Sequence, residues 1–146
     1  MDELIQQMKV MQASVFAFYL KAHNFHWNVE GPNFPQYHSF FEMIYTDAWV
    51  SVDRLAEEIR TLDSYVPGSL SRFESLSVIE DQRNIPTAIN MIKELRSDNL
   101  KIISELDKTQ LMSDKAKCPG LTNFLQERID IHFKNDWMMR SIVKGQ

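Results

Sequence analysis

Side chains of the kinds that bind metal ions are grouped in the first half of the chain. His38 and Glu42 are four residues apart, as are Asp53 and Glu57, and His26 precedes both pairs. Residues four apart on an α-helix lie one above the other on the same face, so each pair offers two ligands to one ion. Imidazole and carboxylate ligands suit iron and zinc, and helical bundles commonly hold iron with Glu and His from facing helices. The pattern predicts a metal site.

The spacing also predicts that the site lies between two subunits. If residues 35–62 form one helix, all four paired residues share one stripe of its surface. Glu42 and Asp53 are nevertheless about 16 Å apart along the axis, whereas metal–ligand bonds are about 2.0–2.2 Å long. A second copy of the helix, antiparallel across a two-fold axis, would place the first pair of one chain against the second pair of the other. Two equivalent sites would then form.

Each of these residues also has an ordinary structural explanation when it is considered alone. Charged helix positions are usually solvent-exposed, His26 could pack beneath a loop, and Arg54 or Arg60 could pair with the carboxylates. The conjunction of two such pairs with a preceding histidine favours metal binding. The ligand types leave zinc and manganese open beside iron.

Composition restricts the class of protein and its partners. We expect one domain over residues 1–146, with few helix breaks because only four Gly and five Pro are present. The formal net charge of −4 and the lack of a basic run at either end argue against strong nonspecific binding to nucleic acid. Cys118 is the single cysteine, and neither a signal sequence nor an apolar run of membrane-spanning length is evident. We therefore expect a cytoplasmic protein with no membrane partner.

Apolar residues recur at three- and four-residue steps over four long stretches, which is typical of amphipathic helices. Asn33 is the expected N-cap of the second helix, and Ser71 is expected to open a capping box. The predicted helices cover residues 3–29, 35–62, 71–78, 86–109 and a last stretch that follows Cys118-Pro119-Gly120. This order predicts an all-α, ferritin-like four-helix bundle, with a short extra helix in the connection between the second and third long helices.

Several of these residues, taken together, resemble the signature of the Dps mini-ferritins (DNA-binding proteins from starved cells). The resemblance covers nearly the whole chain, including the short helix. Its motifs are His26-Trp27-Asn28, Gly31-Pro32-Asn33-Phe34, His38, Glu42, Asp53 and Ala56-Glu57, with Arg128-Ile129-Asp130 and Trp137-Met138 in the last helix.

The resemblance implies a ferroxidase and iron store. It assigns His26, His38 and Glu42 to one subunit's share of an iron site, with Glu42 standing where many members have Asp. Asp53 and Glu57 would come from the two-fold neighbour, and Trp27 would lie beside the site. The family forms a hollow dodecameric shell, oxidises Fe²⁺ with hydrogen peroxide or O₂, and stores ferric mineral inside. It thereby protects against oxidative stress.

The chain departs from the family pattern in places. The lysine-rich tail that some members use to bind DNA is absent, so direct DNA binding is not expected. Asn123 stands where acidic residues are common, and an iron-entry pore would be less acidic there unless Glu127 and Asp130 compensate. Phe133 is a second such replacement.

Two further histidines are expected to have supporting roles. We expect His23 to form a hydrogen bond near the site rather than to bind metal, and His132 to be structural. The rival interpretation of the whole chain is a DNA-compacting bundle in which metal is incidental. The negative charge and the missing tail count against it.

Overall fold

The computed structural model describes residues 1–146 as helices and connections, without a β-strand. The helices are α1 (Asp2–Asn28), α2 (Phe34–Thr61), α3 (Leu70–Leu76), α4 (Ala88–Lys115) and α5 (Pro119–Val143). Four of them are long, and the short α3 lies in the connection between α2 and α4. The predicted all-α bundle with an extra short helix is confirmed. No helix combines the length and the apolar character needed to cross a membrane.

Two antiparallel hairpins form the bundle. α1 packs against α2, α4 packs against α5, and α1 joins the hairpins by packing against α4. All four long helices contribute to one cluster of buried hydrophobic side chains, which includes Phe18, Phe25, Phe41, Ile102 and Leu125. Burial of this apolar surface is the main favourable contribution to the stability of the bundle.

The short helix is held against α1. The Phe73 ring stacks on Phe16 with their centroids 4.5 Å apart, and the Val78 amide donates a 3.0 Å hydrogen bond to the Ser14 hydroxyl. Ser69 caps α3 by accepting a hydrogen bond from the Arg72 amide. The prediction of a capping box at Ser71 is therefore wrong, because the N-cap of α3 is Ser69, two residues earlier.

The ends of α4 also differ from the prediction. Thr87 caps α4 by accepting a hydrogen bond from the Asn90 amide, so Pro86 precedes the helix instead of opening it. The helix continues to Lys115, whereas the prediction ended near Thr109. The last turns carry polar side chains that the apolar period does not register. Thr109 and Ser113 are nevertheless buried there, where Thr109 accepts a hydrogen bond from Gln7 of α1 and Ser113 is hydrogen-bonded to Thr122 of α5.

The turn between α1 and α2 depends on a glycine. Gly31 has φ = 118°, a conformation that side chains with a Cβ rarely adopt. Asn33 occupies the N-cap position of α2, as predicted, but its side chain makes no capping hydrogen bond. Pro35 instead fits the first turn of α2, where its missing N–H costs nothing.

Replacement of Gly31 by Ala tests the constraint at this turn. We expect Gly31→Ala to lower the free energy of unfolding by about 1–3 kcal/mol, because the backbone conformation is strained for alanine. Gly68→Ala is the matched control, since Gly68 has open space around it and no positive φ. Urea unfolding of both variants measures the difference. Equal stability of the two variants would contradict this account of the turn.

A polar network crosses the core of the bundle. His132 is fully buried; its Nδ1 donates to Asn99 Oδ1 at 2.7 Å, and Asn99 Nδ2 donates to the His132 carbonyl at 2.8 Å. Arg128 makes two hydrogen bonds to the Asp47 carboxylate, at 2.9 and 2.7 Å. The structural role predicted for His132 is thereby confirmed, because its ring links α5 to α4 within the core.

Burial of His132 should make stability depend on pH. Burial, and then the positive charge of Arg128, lower the pKa of His132 from 6.5 to about 3. Between those values the unfolded chain binds a proton that the folded chain does not, so the free energy of unfolding should fall as pH decreases below about 6.5. Above that pH the residue is neutral in both states and contributes no pH dependence.

A variant without the titrating ring isolates this effect. We expect urea unfolding between about pH 7 and pH 4 to show a steeper loss of stability in the parent than in His132→Gln. Other carboxylates titrate in both proteins, so the difference between the two slopes is the quantity to measure. Parallel slopes would show that His132 does not carry the effect.

Candidate metal centre

The turn at Gly31 brings two of the predicted site residues together. His26 lies in the last turn of α1 and His38 in the first turns of α2. Their rings stack with centroids 3.7 Å apart and planes inclined by 18°. The two rings therefore lie side by side at one end of the α1–α2 hairpin.

Each histidine donates a hydrogen bond to the backbone of the other. The distance from His26 Nδ1 to the His38 carbonyl oxygen is 2.8 Å, and that from His38 Nδ1 to the His26 carbonyl oxygen is also 2.8 Å. A carbonyl oxygen only accepts hydrogen bonds, so both Nδ1 atoms carry hydrogen. In the neutral rings, both Nε2 atoms therefore retain a lone pair. Metal-binding histidines are commonly oriented by such an N–H bond to a carbonyl.

Aromatic neighbours hold the two rings in place. Phe34 stacks on His38 at 4.8 Å between centroids, and the Tyr45 ring meets His26 at 5.1 Å with planes inclined by 69°. His26 is buried, while Glu42 is exposed one turn after His38 on α2. The chain thus presents two preset imidazoles beside a solvent-accessible carboxylate.

The second predicted pair lies further along α2 and is exposed. The pKa of the Glu57 carboxyl is raised, first because its side chain shares a hydrogen bond with Asp53, and second because the negative charge of Asp53 repels its own. A divalent cation bound between two carboxylates this close would compensate both negative charges.

The nearby arginines form no ion pair with these carboxylates, although the positive charge of Arg54 partly offsets the rise in the pKa of Glu57. Arg54 donates a 2.8 Å hydrogen bond to Glu58, and its guanidinium lies over the Phe124 ring. Arg60 donates to the Ser64 carbonyl and lies over the ring of Tyr65. The alternative explanation, in which Arg54 and Arg60 pair with the predicted acidic ligands, is wrong for this structure.

The two halves of the predicted site do not meet within one chain. No group of three or more His, Cys, Asp and Glu side chains is placed to hold a metal ion. The structure joins His26 with His38 and Asp53 with Glu57, but it leaves the two pairs apart along α2. A site that is completed by a second subunit requires this separation. The shared site itself stays a prediction.

A cluster of aromatic side chains surrounds the histidine pair, and sequence reasoning identified only part of it. His23 lies between Tyr45 and Trp27, with centroid distances of 3.9 and 4.0 Å. The distance from His23 Nδ1 to the Tyr19 hydroxyl is 2.8 Å, so the predicted hydrogen-bonding role of His23 is confirmed. Burial, followed by the charge of His26, lowers the pKa of His23. The recurrence of Tyr19, His23 and Trp27 at four-residue intervals was the available signal.

The α5 positions that depart from the resemblance are exposed. Asn123 Nδ2 donates a 3.5 Å hydrogen bond to Glu127 Oε1, and Phe133 is 57 % exposed. These residues do not pack into the core of their own chain. Their proposed effect on an iron-entry pore stays a prediction.

Comparison with known proteins identifies the class to which this fold belongs. A family model described as a ferritin-like domain matches residues 5–145. The chain is 30 % identical over 136 residues to an uncharacterized low temperature-induced protein of Nostoc sp., covering 92 % of this chain and 76 % of that protein. The chain therefore belongs to the ferritin-like family.

Two other matches place the chain more closely. It is 28 % identical over 132 residues to a DNA protection during starvation protein of Brevibacillus brevis, covering 90 % of this chain and 89 % of that one. The crystal structure of Dps from Staphylococcus aureus superposes with a TM-score of 0.94 at 27 % identity, covering 98 % of this chain and 96 % of that one. Within the ferritin-like family, the chain is a member of the Dps mini-ferritins.

Proposed function

We propose that this chain is the subunit of a hollow iron-storing shell and that pairs of subunits oxidise Fe²⁺ at sites they share. The observation that carries the proposal is the reciprocal hydrogen bonding of His26 and His38, which leaves both Nε2 atoms free for a metal ion. Family membership supports iron as the ion that this kind of fold handles. The ferrous ion is the substrate, and the ferric product is the stored material.

Each subunit would contribute half of the ligands at a site. His26, His38 and Glu42 form one half, and the Asp53–Glu57 pair of a two-fold related subunit forms the other. Neutral imidazoles accept Fe²⁺ readily, whereas hard carboxylate oxygens favour the Fe³⁺ product. A mixed ligand set of this kind lowers the cost of losing an electron. A coordination position that no protein ligand fills would admit the oxidant.

Hydrogen peroxide is the oxidant that we propose, with O₂ as the alternative. Two ferrous ions supply the two electrons that reduce one peroxide molecule, with two protons, to two water molecules. Oxidation by pairs of ferrous ions consumes both reactants without releasing hydroxyl radical. This chemistry would protect the cell against oxidative stress, and with it DNA, without requiring that the shell bind DNA.

The surface of α2 supports contact with a second subunit. Trp49 and Val50, which precede the Asp53–Glu57 pair, are 55 % and 65 % exposed. Large exposed apolar side chains close to one another mark surfaces at which proteins associate. A two-fold contact here would cover them and bring the acidic pair to the partner's histidines. We infer that such dimers assemble into the dodecameric shell that the family resemblance implies.

Loss of a proposed ligand from either half should stop catalysis while the fold remains. We expect His38→Ala and Asp53→Asn each to reduce the initial rate of peroxide-dependent ferric formation at least tenfold, because each removes a ligand from every site. Glu58→Gln is the matched control, since Glu58 lies beside Glu57 and pairs with Arg54. Stopped-flow absorbance gives the rates, and circular dichroism checks the fold. Rates like that of the parent in both variants would refute the ligand assignment.

Mixing the two inactive variants tests whether the site is shared. In a dimer of one His38→Ala chain and one Asp53→Asn chain, one site carries both defects and the other is intact. Random reassembly of equal amounts should therefore restore about a quarter of the parental sites. A site within a single chain would regain no activity on mixing. The measurement is the same stopped-flow assay after dissociation and reassembly of the mixed subunits.

Direct DNA binding is the competing function, and names of relatives such as the DNA protection during starvation protein of Brevibacillus brevis favour testing it. The formal net charge of −4 opposes it, because nonspecific binding requires clustered positive charge that displaces counterions. We expect no retardation of duplex DNA in a gel-shift assay at physiological salt. Retardation that weakens as salt increases would favour the competing function.

A further inference from the structure

One methionine next to the proposed iron site differs from most of the others in its exposure. Met43 is 45 % exposed on α2, one residue after the proposed ligand Glu42. Four of the eight methionines have side chains that are at most 1 % exposed, namely Met8, Met11, Met91 and Met139. Burial protects those sulfur atoms from oxidants dissolved in water. The sulfur of Met43 lacks this protection, at a surface where the proposed function requires an oxidant.

The side chain of Met43 lies in a surface groove that it shares with Glu42. The groove has a volume of about 560 Å³ and is lined by Ser39, Glu42, Met43, Thr46, Asp47 and Val50. The thioether is the one side chain of these six that hydrogen peroxide oxidises. The groove therefore presents a reducing group and a proposed iron ligand to the same solvent.

Met43 lies beside the stripe of α2 that carries the proposed ligands, and not within it. At about 100° per residue, Glu57 lies about 100° around the helix from His38, and Met43 lies about 140° from it. The other proposed ligands of α2 fall between His38 and Glu57. A two-fold contact centred on that stripe would therefore leave Met43 at its margin, close to the iron site but open to solvent.

Two hydroxyl groups flank Met43 along α2. Ser39 stands four residues before it and Thr46 three residues after it, so both lie on the same side of the helix as Met43. Both residues are exposed and line the same groove. When a thioether attacks peroxide, negative charge develops on the departing oxygen atom. Hydrogen-bond donors already placed near that atom stabilise the charge and accelerate the reaction.

We propose that Met43 reduces hydrogen peroxide by direct oxygen transfer, with the hydroxyls of Ser39 and Thr46 as hydrogen-bond donors to the departing oxygen. The sulfur of Met43 attacks one peroxide oxygen and the O–O bond breaks. The proton on the attacked oxygen is lost as the departing oxygen gains one. The products are methionine sulfoxide and one water molecule. Sulfur thus supplies both electrons that peroxide requires, no radical forms, and no iron takes part.

This reaction complements the proposed oxidation of iron. Two ferrous ions are needed to reduce one peroxide molecule, whereas one thioether supplies both electrons. Met43 therefore consumes peroxide that arrives while the neighbouring site lacks its pair of ferrous ions. Methionine sulfoxide reductases restore the thioether, so the residue reacts again. The inference rests on the proposed function only for the presence of peroxide at this surface.

The first experiment treats the metal-free, assembled protein with hydrogen peroxide and follows each methionine by peptide mass spectrometry. Met1, which is 61 % exposed, and added N-acetylmethionine amide are the references for a thioether in water. We expect Met43 to form sulfoxide several-fold faster than either reference, although it is less exposed than Met1. Met8 should remain reduced. Oxidation of Met43 at or below the rate of the references would overturn the proposal.

The second experiment tests the two hydroxyls with a pair of matched double variants. Ser39→Ala with Thr46→Val removes both donors, and we expect it to slow sulfoxide formation at Met43 to the rate of the references. Ser39→Thr with Thr46→Ser keeps both donors and should retain the parental rate. Circular dichroism checks that each variant is folded. Equal rates at Met43 in the two double variants would refute the role of the hydroxyls.

These experiments separate the inference from the ferroxidase proposal, because neither of them uses iron. If the parent does not oxidise Fe²⁺ with peroxide, the ferroxidase proposal fails, and the rate of sulfoxide formation still decides the role of Met43. If the parent oxidises iron but Met43 reacts no faster than the references, only the role of Met43 fails.

Discussion

The reciprocal hydrogen bonds between His26 and His38 are the interaction on which the geometry of the proposed metal site depends. Each ring donates a hydrogen bond from Nδ1 to a backbone carbonyl near the α1–α2 turn, and this bond fixes the tautomer of the ring. The arrangement depends on the turn at Gly31, whose positive φ reverses the chain within a few residues. A change in that turn would shift the axis of α2 and separate the two rings. The backbone geometry of the turn and the geometry of the two proposed ligands therefore depend on one another.

Assembly would be the second constraint, since one chain holds the proposed ligands in two groups that do not converge. No arginine of its own chain forms an ion pair with the Asp53–Glu57 pair, because Arg54 bonds to Glu58 and Arg60 to the Ser64 carbonyl, although the charge of Arg54 partly offsets the rise in the pKa of Glu57. Concentrated negative charge of this kind is costly to bring against another surface unless a cation lies between. Metal binding and subunit pairing would thus favour one another thermodynamically, because each lowers the cost of the other.

The polar residues between α2, α4 and α5 pair with one another and include none of the proposed metal ligands. The space between α2, α4 and α5 is occupied by Arg128, Asp47, His132 and Asn99, whose polar groups satisfy one another. Arg128, His132 and Asn99 are buried and Asp47 is half-buried, and a network whose hydrogen bonds are all made favours one packing of the helices. The aromatic cluster around His23 lies on another side, between α1 and α2, where it contacts the histidine pair. The polar network and the proposed metal ligands therefore lie on different faces of the helices.

Sequence patterns predicted the long helices well because hydrophobic periodicity and Gly–Pro breaks are local properties. The bounds of α1 and α2 agree with prediction within a residue or so. The prediction was less accurate at the ends of α4, where Thr87 and Ser113 act through hydrogen bonds that the apolar pattern does not record. The same limit applies to Ser69, which caps α3 in place of the predicted Ser71.

By itself, the sequence determined which residues stand at metal-ligand spacing and that one helix cannot join them, because rise per residue fixes distances along a helix. It also determined the resemblance to the family. Only the tertiary structure decided the tautomers of His26 and His38, the partners of Arg54 and Arg60, and the stacking of His23 between Tyr45 and Trp27. Those features depend on the approach of side chains from two helices, and spacing along one chain carries no information about the rotation of a neighbouring helix.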